Sequence, residues 1–238
     1  MPDAEADQTV IVKAPGILCN PASLKGIFDV IPDVKMLLVV RSPIYRVVSD
    51  IMHEYLVGTI KDNEMQDIND IIISLAEQNN KPGKEDKDIK FNTSIFQAGL
   101  VCKIIIIPGD LLGNVFNLTN YNLIYDRLSS VIPKENILVI NGDKLIEDPQ
   151  PEIKMVEDFL NLPSFFNVMS FYYPKGDKFP CFKHGDTHTR MRGDKGREHP
   201  TLKKETLDLL ENIFQPMVDK LEEQTGVRLH GFRDKFGE

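Results

Sequence analysis

The chain has 238 residues, 42% apolar and 27% charged, enough to bury a core without disulfides or metals. Its formal net charge of −8 argues against a protein that grips a polyanion over its whole surface, so an anionic partner needs a local basic patch. The cysteines, Cys19, Cys102 and Cys181, are odd in number and widely spaced, which argues against a disulfide framework and a zinc site.

Residues 1–8 are polar and acidic, the reverse of a signal peptide, and residues 10–12 (VIV) read as a short strand closed by Lys13-Ala14-Pro15-Gly16. Residues 35–40 (KMLLVV) form a continuous apolar run, the pattern of a strand buried on both faces. Ser42-Pro43 supplies an N-cap and a proline at the first helical position, and the helical spacing of Ile44, Val47, Val48, Ile51, Tyr55 and Leu56 predicts a helix ending near Gly58.

A second helix is expected over 65–76 and a polar loop over 79–90. Residues 104–107 read as a strand or a buried connector. The apolar run around them contains Lys103 and stops at Pro108, far short of the roughly 20 residues that cross a membrane. A helix over 121–131 leads to a buried strand over 136–140 (NILVI), ended by Asn141-Gly142-Asp143, and a helix over 152–160. Residues 163–200 are irregular, aromatic and basic. A last helical region runs from about Leu202, is interrupted near Pro216 and closes at Gly226. Buried strands alternating with helices imply a single α/β domain over 1–238 with a central, largely parallel sheet flanked by helices.

Three features can carry chemistry. Arg41 stands at the carboxyl end of the first buried strand, where ligands of open α/β sheets bind. Its guanidinium either grips a phosphate or pairs with a carboxylate, and Ser49 either faces the same crevice or is solvated. The following helix N-terminus adds partial positive charge for an anion. Lys195-Gly196-Arg197-Glu198-His199-Pro200 lies in a stretch, 175–204, with nine Lys or Arg against four Asp or Glu. It is either a phosphate-wrapping loop, its glycine allowing close backbone approach, or a solvated basic loop. Lys13 could neutralise charge on a bridging oxygen, or be a surface lysine. His184 and His188 are four apart without a third ligand, so no metal site is expected. Arg192-Gly193-Asp194 and Gly83-Lys84 carry too little information to assign a role.

Five segments, in order, resemble the heparan sulfate sulfotransferases, and the heparan sulfate glucosamine 3-O-sulfotransferases most closely. They are VKAP (12–15), KMLLVVRSPIYRVVSD (35–50), NILVINGDKLIEDPQPEIKMVEDFLNL (136–162), FYYPKGDKFPC (171–181) and KGREHP (195–200). The resemblance implies a P-loop-like sulfotransferase fold and transfer of a sulfuryl group from 3′-phosphoadenylyl sulfate (PAPS) to a glucosamine 3-hydroxyl, leaving PAP. It implies that Arg41 and Ser49 take the donor's 3′-phosphate, that Phe179 stacks on its base, and that Lys195, Gly196, Arg197, Glu198 and His199 wrap it. Lys13 would lie near the transferred group.

The family's phosphate-binding loop and its glutamate base have no counterpart upstream of Val10, so the chain is expected to be N-terminally truncated. Arg190 stands where the family has a second cysteine to pair with the match of Cys181. Pro180 replaces an aromatic residue, and Leu128 is the nearest match to an acceptor-region tryptophan.

By the same resemblance the partner is heparan sulfate or a related glycosaminoglycan rather than nucleic acid, and no metal is needed. The chain is expected to be a monomer working in the Golgi lumen, although no targeting signal or membrane anchor is read in it. Asn92 and Asn117 head glycosylation sequons that agree with a secretory location. A non-catalytic nucleotide- or glycan-binding relative and an N-sulfotransferase relative are the alternatives.

Overall fold

The computed structural model describes residues 21–56, 58, 60, 67–79, 116, 119–176, 179–189 and 199–229. The expected strand at 10–12, residues 104–107, most of the 79–90 loop and the sequon asparagines Asn92 and Asn117 lie outside these residues. So do Cys19, Cys102, Arg190, the tripeptide 192–194 and Gly83-Lys84.

Strand β1 (Met36–Val40) pairs in parallel with β2 (Ile137–Asn141), in a register that runs from Met36 opposite Ile137 to Val40 opposite Asn141. Parallel neighbours require a long crossover. It includes α2 (Pro43–Leu56), α3 (Ile68–Asn79) and α4 (Tyr121–Ser129). The face bearing Leu38, Val40, Ile137 and Val139 enters the main core. The opposite face does not follow expectation, for Val39 is 50% exposed. The unbroken apolar run therefore overstates how much of β1 is covered.

Ser42 starts α2 as its sequence predicts: its carbonyl accepts from the Arg46 N–H at 3.0 Å and its hydroxyl faces the Tyr45 N–H at 3.4 Å. Ile44, Val47, Val48 and Ile51 are buried, and Gly58 takes a left-handed φ of 77° just beyond the helix. Helix α3 begins later than the apolar spacing suggests, because Asp67 accepts the Asn69 N–H at 2.8 Å and sets the start there.

After β2 come a short helix α5 (Lys144–Glu147) and α6 (Pro149–Phe159), which starts at a proline three residues before its expected first position. The longest helix, α7 (Lys204–Thr225), carries Pro216 inside it without interruption, contrary to the sequence reading. Leu210, Phe214, Val218 and Leu221 are all buried along it, and that packing outweighs one missing backbone donor. Phe214 stacks on Phe116 with centroids 5.5 Å apart, and Gly226 closes the helix at φ 73°.

Two features were not anticipated. Helix α1 (Pro21–Val30) precedes β1 and buries Leu24. A three-stranded antiparallel sheet, β3 (Phe171–Tyr172), β4 (Cys181–His184) and β5 (Thr187–Thr189), occupies part of the stretch read as irregular. Phe166, Phe171 and Phe182 form its aromatic face, with Phe165 tilted against His184, centroids 4.7 Å apart. The register pairs Lys183 with His188 and His184 with Thr187, so the two histidines turn to opposite faces. Among the described residues no cluster of three or more His, Cys, Asp or Glu could hold a metal ion, and no helix is long and apolar enough to cross a membrane.

Candidate donor-binding site

The carboxyl ends of β1 and β2 lie side by side, and the residues just past them build one charged hook. The Gly142 N–H donates to the Val40 carbonyl at 2.7 Å, extending the ladder by one bond. A Cβ on Gly142 would lie 2.7 Å from Arg41 Cγ and 2.9 Å from Val39 Cγ1. The arginine stem therefore crosses the strand end where only glycine leaves room.

Asp143, only 9% exposed, takes Arg41 Nε on Oδ1 at 3.2 Å and the Ser42 N–H on Oδ2 at 2.7 Å. Of the two readings left open for Arg41, the structure shows a carboxylate partner, engaged through Nε. It also changes the expectation for the α2 N-terminus. The N–H of its capping residue already serves a carboxylate of the chain's own, which complements the helix dipole from within.

Asp143 is fixed in turn. Its N–H and that of Lys144 donate to Asn141 Oδ1 at 2.9 and 3.0 Å. Asn141 donates its backbone N–H to buried Glu152 at 3.1 Å and its side-chain amide to the Arg228 carbonyl at 2.7 Å.

Tyr45 also lies against Arg41. The guanidinium carbon lies 5.0 Å from the ring centroid, within cation–π range. Tyr45 also contacts His199, with ring centroids 4.3 Å apart. Arg41, Tyr45 and His199 thus form one continuous group, joining the strand end to the close of the 195–200 segment. Ser49 lies four residues beyond Tyr45 on α2, half-buried.

Tyr121, at the start of α4, receives the Arg41 backbone N–H, and burial pushes its hydroxyl up to about 12. The chain carrying His199 is anchored downstream. The Lys203 N–H donates to Asn69 Oδ1 at 2.8 Å and its ammonium pairs with Asp67 at 2.6 Å. Bonds from Lys203 and Asn69 lower the Asp67 carboxyl to about 2.

Of the site residues expected from sequence, the structure brings Arg41 and His199 together through Tyr45 and places Ser49 one turn further along the same helix. Phe179 is half-buried ahead of β4, where Cys181 is buried. Lys13, Lys195, Gly196, Arg197 and Glu198 lie outside the described residues. Sequence reasoning missed Tyr45, Gly142 and Asp143 as site components. Gly-Asp directly after a buried strand was a visible signal for the last two, whereas nothing local marks Tyr45.

A family model described as a sulfotransferase domain matches residues 27–226 and so spans the entire hook. The chain belongs to the sulfotransferase family. Its curated relatives include heparan sulfate glucosamine 3-O-sulfotransferase 5 from Homo sapiens, 23% identical over 231 residues, 97% of this chain and 58% of that protein. Heparan sulfate glucosamine 3-O-sulfotransferase 6 from Mus musculus is 25% identical over 95% of this chain and 57% of its own length. This sulfotransferase-family chain thus spans little more than half the length of those relatives.

The crystal structure of a sulfotransferase from Alicyclobacillus acidocaldarius superposes with a TM-score of 0.54 at 18% identity, covering 91% of this chain and 64% of that one. That likeness supports the sulfotransferase fold, in keeping with the α/β architecture and parallel strand pair expected from sequence.

Proposed function

We propose that the chain holds the 3′-phosphate end of PAPS and belongs to an enzyme that transfers the sulfuryl group to a glucosamine 3-hydroxyl of heparan sulfate or a related glycosaminoglycan. One observation carries the reading. Arg41 projects from the carboxyl end of a parallel strand and is joined through Tyr45 to His199 of the basic, glycine-containing segment. A guanidinium at that place is suited to a phosphate, and the basic segment to closing over it.

In the proposed reaction the sulfur–oxygen bond to the donor's phosphate breaks as a new bond forms to the acceptor oxygen. The acceptor's proton passes to a general base. Arg41, Ser49 and residues 195–199 would position the donor, Phe179 would stack on the adenine, and Lys13 would offset charge on the bridging oxygen. The names of the curated relatives support the glycosaminoglycan acceptor and, through it, a Golgi location.

The second reading is a nucleotide- or glycan-binding relative without turnover, in which the Arg41 hook holds an anion and no general base takes the acceptor's proton. Radiolabelled sulfuryl transfer from PAPS to heparan sulfate separates the two. Both readings expect PAP to bind, and only the first expects transfer. Robust transfer would discard the binding-only reading, and absence of PAP binding would discard both.

A further inference from the structure

Resting on the 3′-phosphate reading of Arg41, we infer that Asp143 is a positioning residue for that arginine, its carboxylate setting the guanidinium in the pose that a phosphate needs. Arginine is a long, flexible side chain, and a pre-set guanidinium loses less freedom when a ligand arrives. Asp143 engages Nε alone, at 3.2 Å. The planar fork has two further nitrogens, and bidentate phosphate recognition uses such a pair.

The carboxylate cannot drift with the arginine, because its second oxygen holds the Ser42 N–H at 2.7 Å and its own N–H is held by Asn141 at 2.9 Å. Gly142 supplies the channel for the arginine stem, and the guanidinium carbon lies over the Tyr45 ring, 5.0 Å from its centroid. The arginine side chain nevertheless keeps 32% of its surface exposed, so the clamp leaves access.

The opposite role is physically distinct. A carboxylate beside an anion-binding arginine can compete with the ligand, and its removal would then tighten binding. The sign of one substitution decides between the two.

The test is calorimetric binding of adenosine 3′,5′-bisphosphate and of adenosine 5′-monophosphate to the wild type, Arg41→Ala and Asp143→Asn, with thermal melting of each. The second nucleotide lacks the 3′-phosphate. Arg41→Ala should weaken the bisphosphate about 100-fold, and Asp143→Asn roughly tenfold, as expected for one hydrogen bond to a charged group. Both should leave the monophosphate nearly unchanged.

Unchanged or tighter bisphosphate binding by Asp143→Asn, or an equal loss for both nucleotides, overturns the positioning role while the Arg41 reading stands. An Arg41→Ala variant with unaltered discrimination, or a wild type that binds neither nucleotide, overturns the Arg41 reading and this inference with it. Should Asp143→Asn fail to fold, Asp143→Glu keeps the charge, moves it by one methylene and is judged by the same ratio.

Discussion

The parallel pair β1–β2 sets its charges by contacts distant in sequence, whereas the antiparallel sheet β3–β5 holds itself together with neighbours. Arg41 and Asp143 are 102 positions apart, and Asn141 reaches 87 positions further to Arg228. The ring contacts of the second sheet all fall between Phe165 and His188. One side of the parallel pair rests on the main core. The antiparallel sheet touches α5 chiefly through the Tyr173 hydroxyl, which donates to the Ile146 carbonyl and to that of Glu147.

Glu157 braces the approach to that sheet. The backbone N–H groups of Phe166 and Phe165, with the Ser164 hydroxyl, depress its carboxyl below the usual range. The contrast teaches that the hook's geometry depends on the whole core, while the aromatic sheet can loosen without disturbing it.

Core damage should break this contrast most severely. Phe214 is fully buried, and Phe214→Ala should cost about 3–5 kcal/mol and lower the melting of both regions together. Phe182→Ala, by comparison, should cost about 1 kcal/mol for each lost ring contact and lower amide protection over 165–189 first. Equal loss of hydrogen-exchange protection in both sheets of the Phe182 variant would abolish the distinction.

A smaller effect is expected at the join. Gly142→Ala forces a methyl against Arg41 and Val39 and should cost about 1–3 kcal/mol, read from denaturant unfolding, with bisphosphate affinity falling in step. Affinity that survives intact would mean the arginine can find its pose by another path.

The smallest effect concerns acid. The folded Asp67 carboxyl sits at about 2 against an ordinary 3.8. Its contribution is complete above the ordinary value and is lost as pH falls from there toward the folded value. Asp67→Asn should therefore flatten part of the acid-induced loss of stability in a urea midpoint series between pH 5 and 2. The remainder belongs partly to Glu157, whose shift has the same sign. An unchanged slope would remove Asp67 from the account.

Local chemistry was the most legible in the sequence. Ser42-Pro43 announces α2 because an N-cap and a first-turn proline act within a few residues. Gly226 announces the end of α7 for the same reason. Pro216 misled because its cost is local while the burial of Phe214 and Val218 around it is tertiary. The strands β3 and β5, two and three residues long, are too short for an alternating pattern to register.

At the site, Arg41 was visible as a charge at the end of an apolar run. Its partner was not, since a carboxylate 102 positions away becomes a neighbour only once two strands pair. The role of Tyr45 depends on the same long-range closure, with His199 arriving from just before α7.

The Asn141 side chain uses both ends of an amide that cannot be reversed. Its oxygen receives two N–H groups after β2, and its nitrogen serves the Arg228 carbonyl. An aspartate in its place would set oxygen against oxygen at Arg228. A leucine would strand donors at the turn. The segment leaving the longest helix and the carboxylate clamping the arginine therefore share a single planar group, and a tug on one is felt by the other.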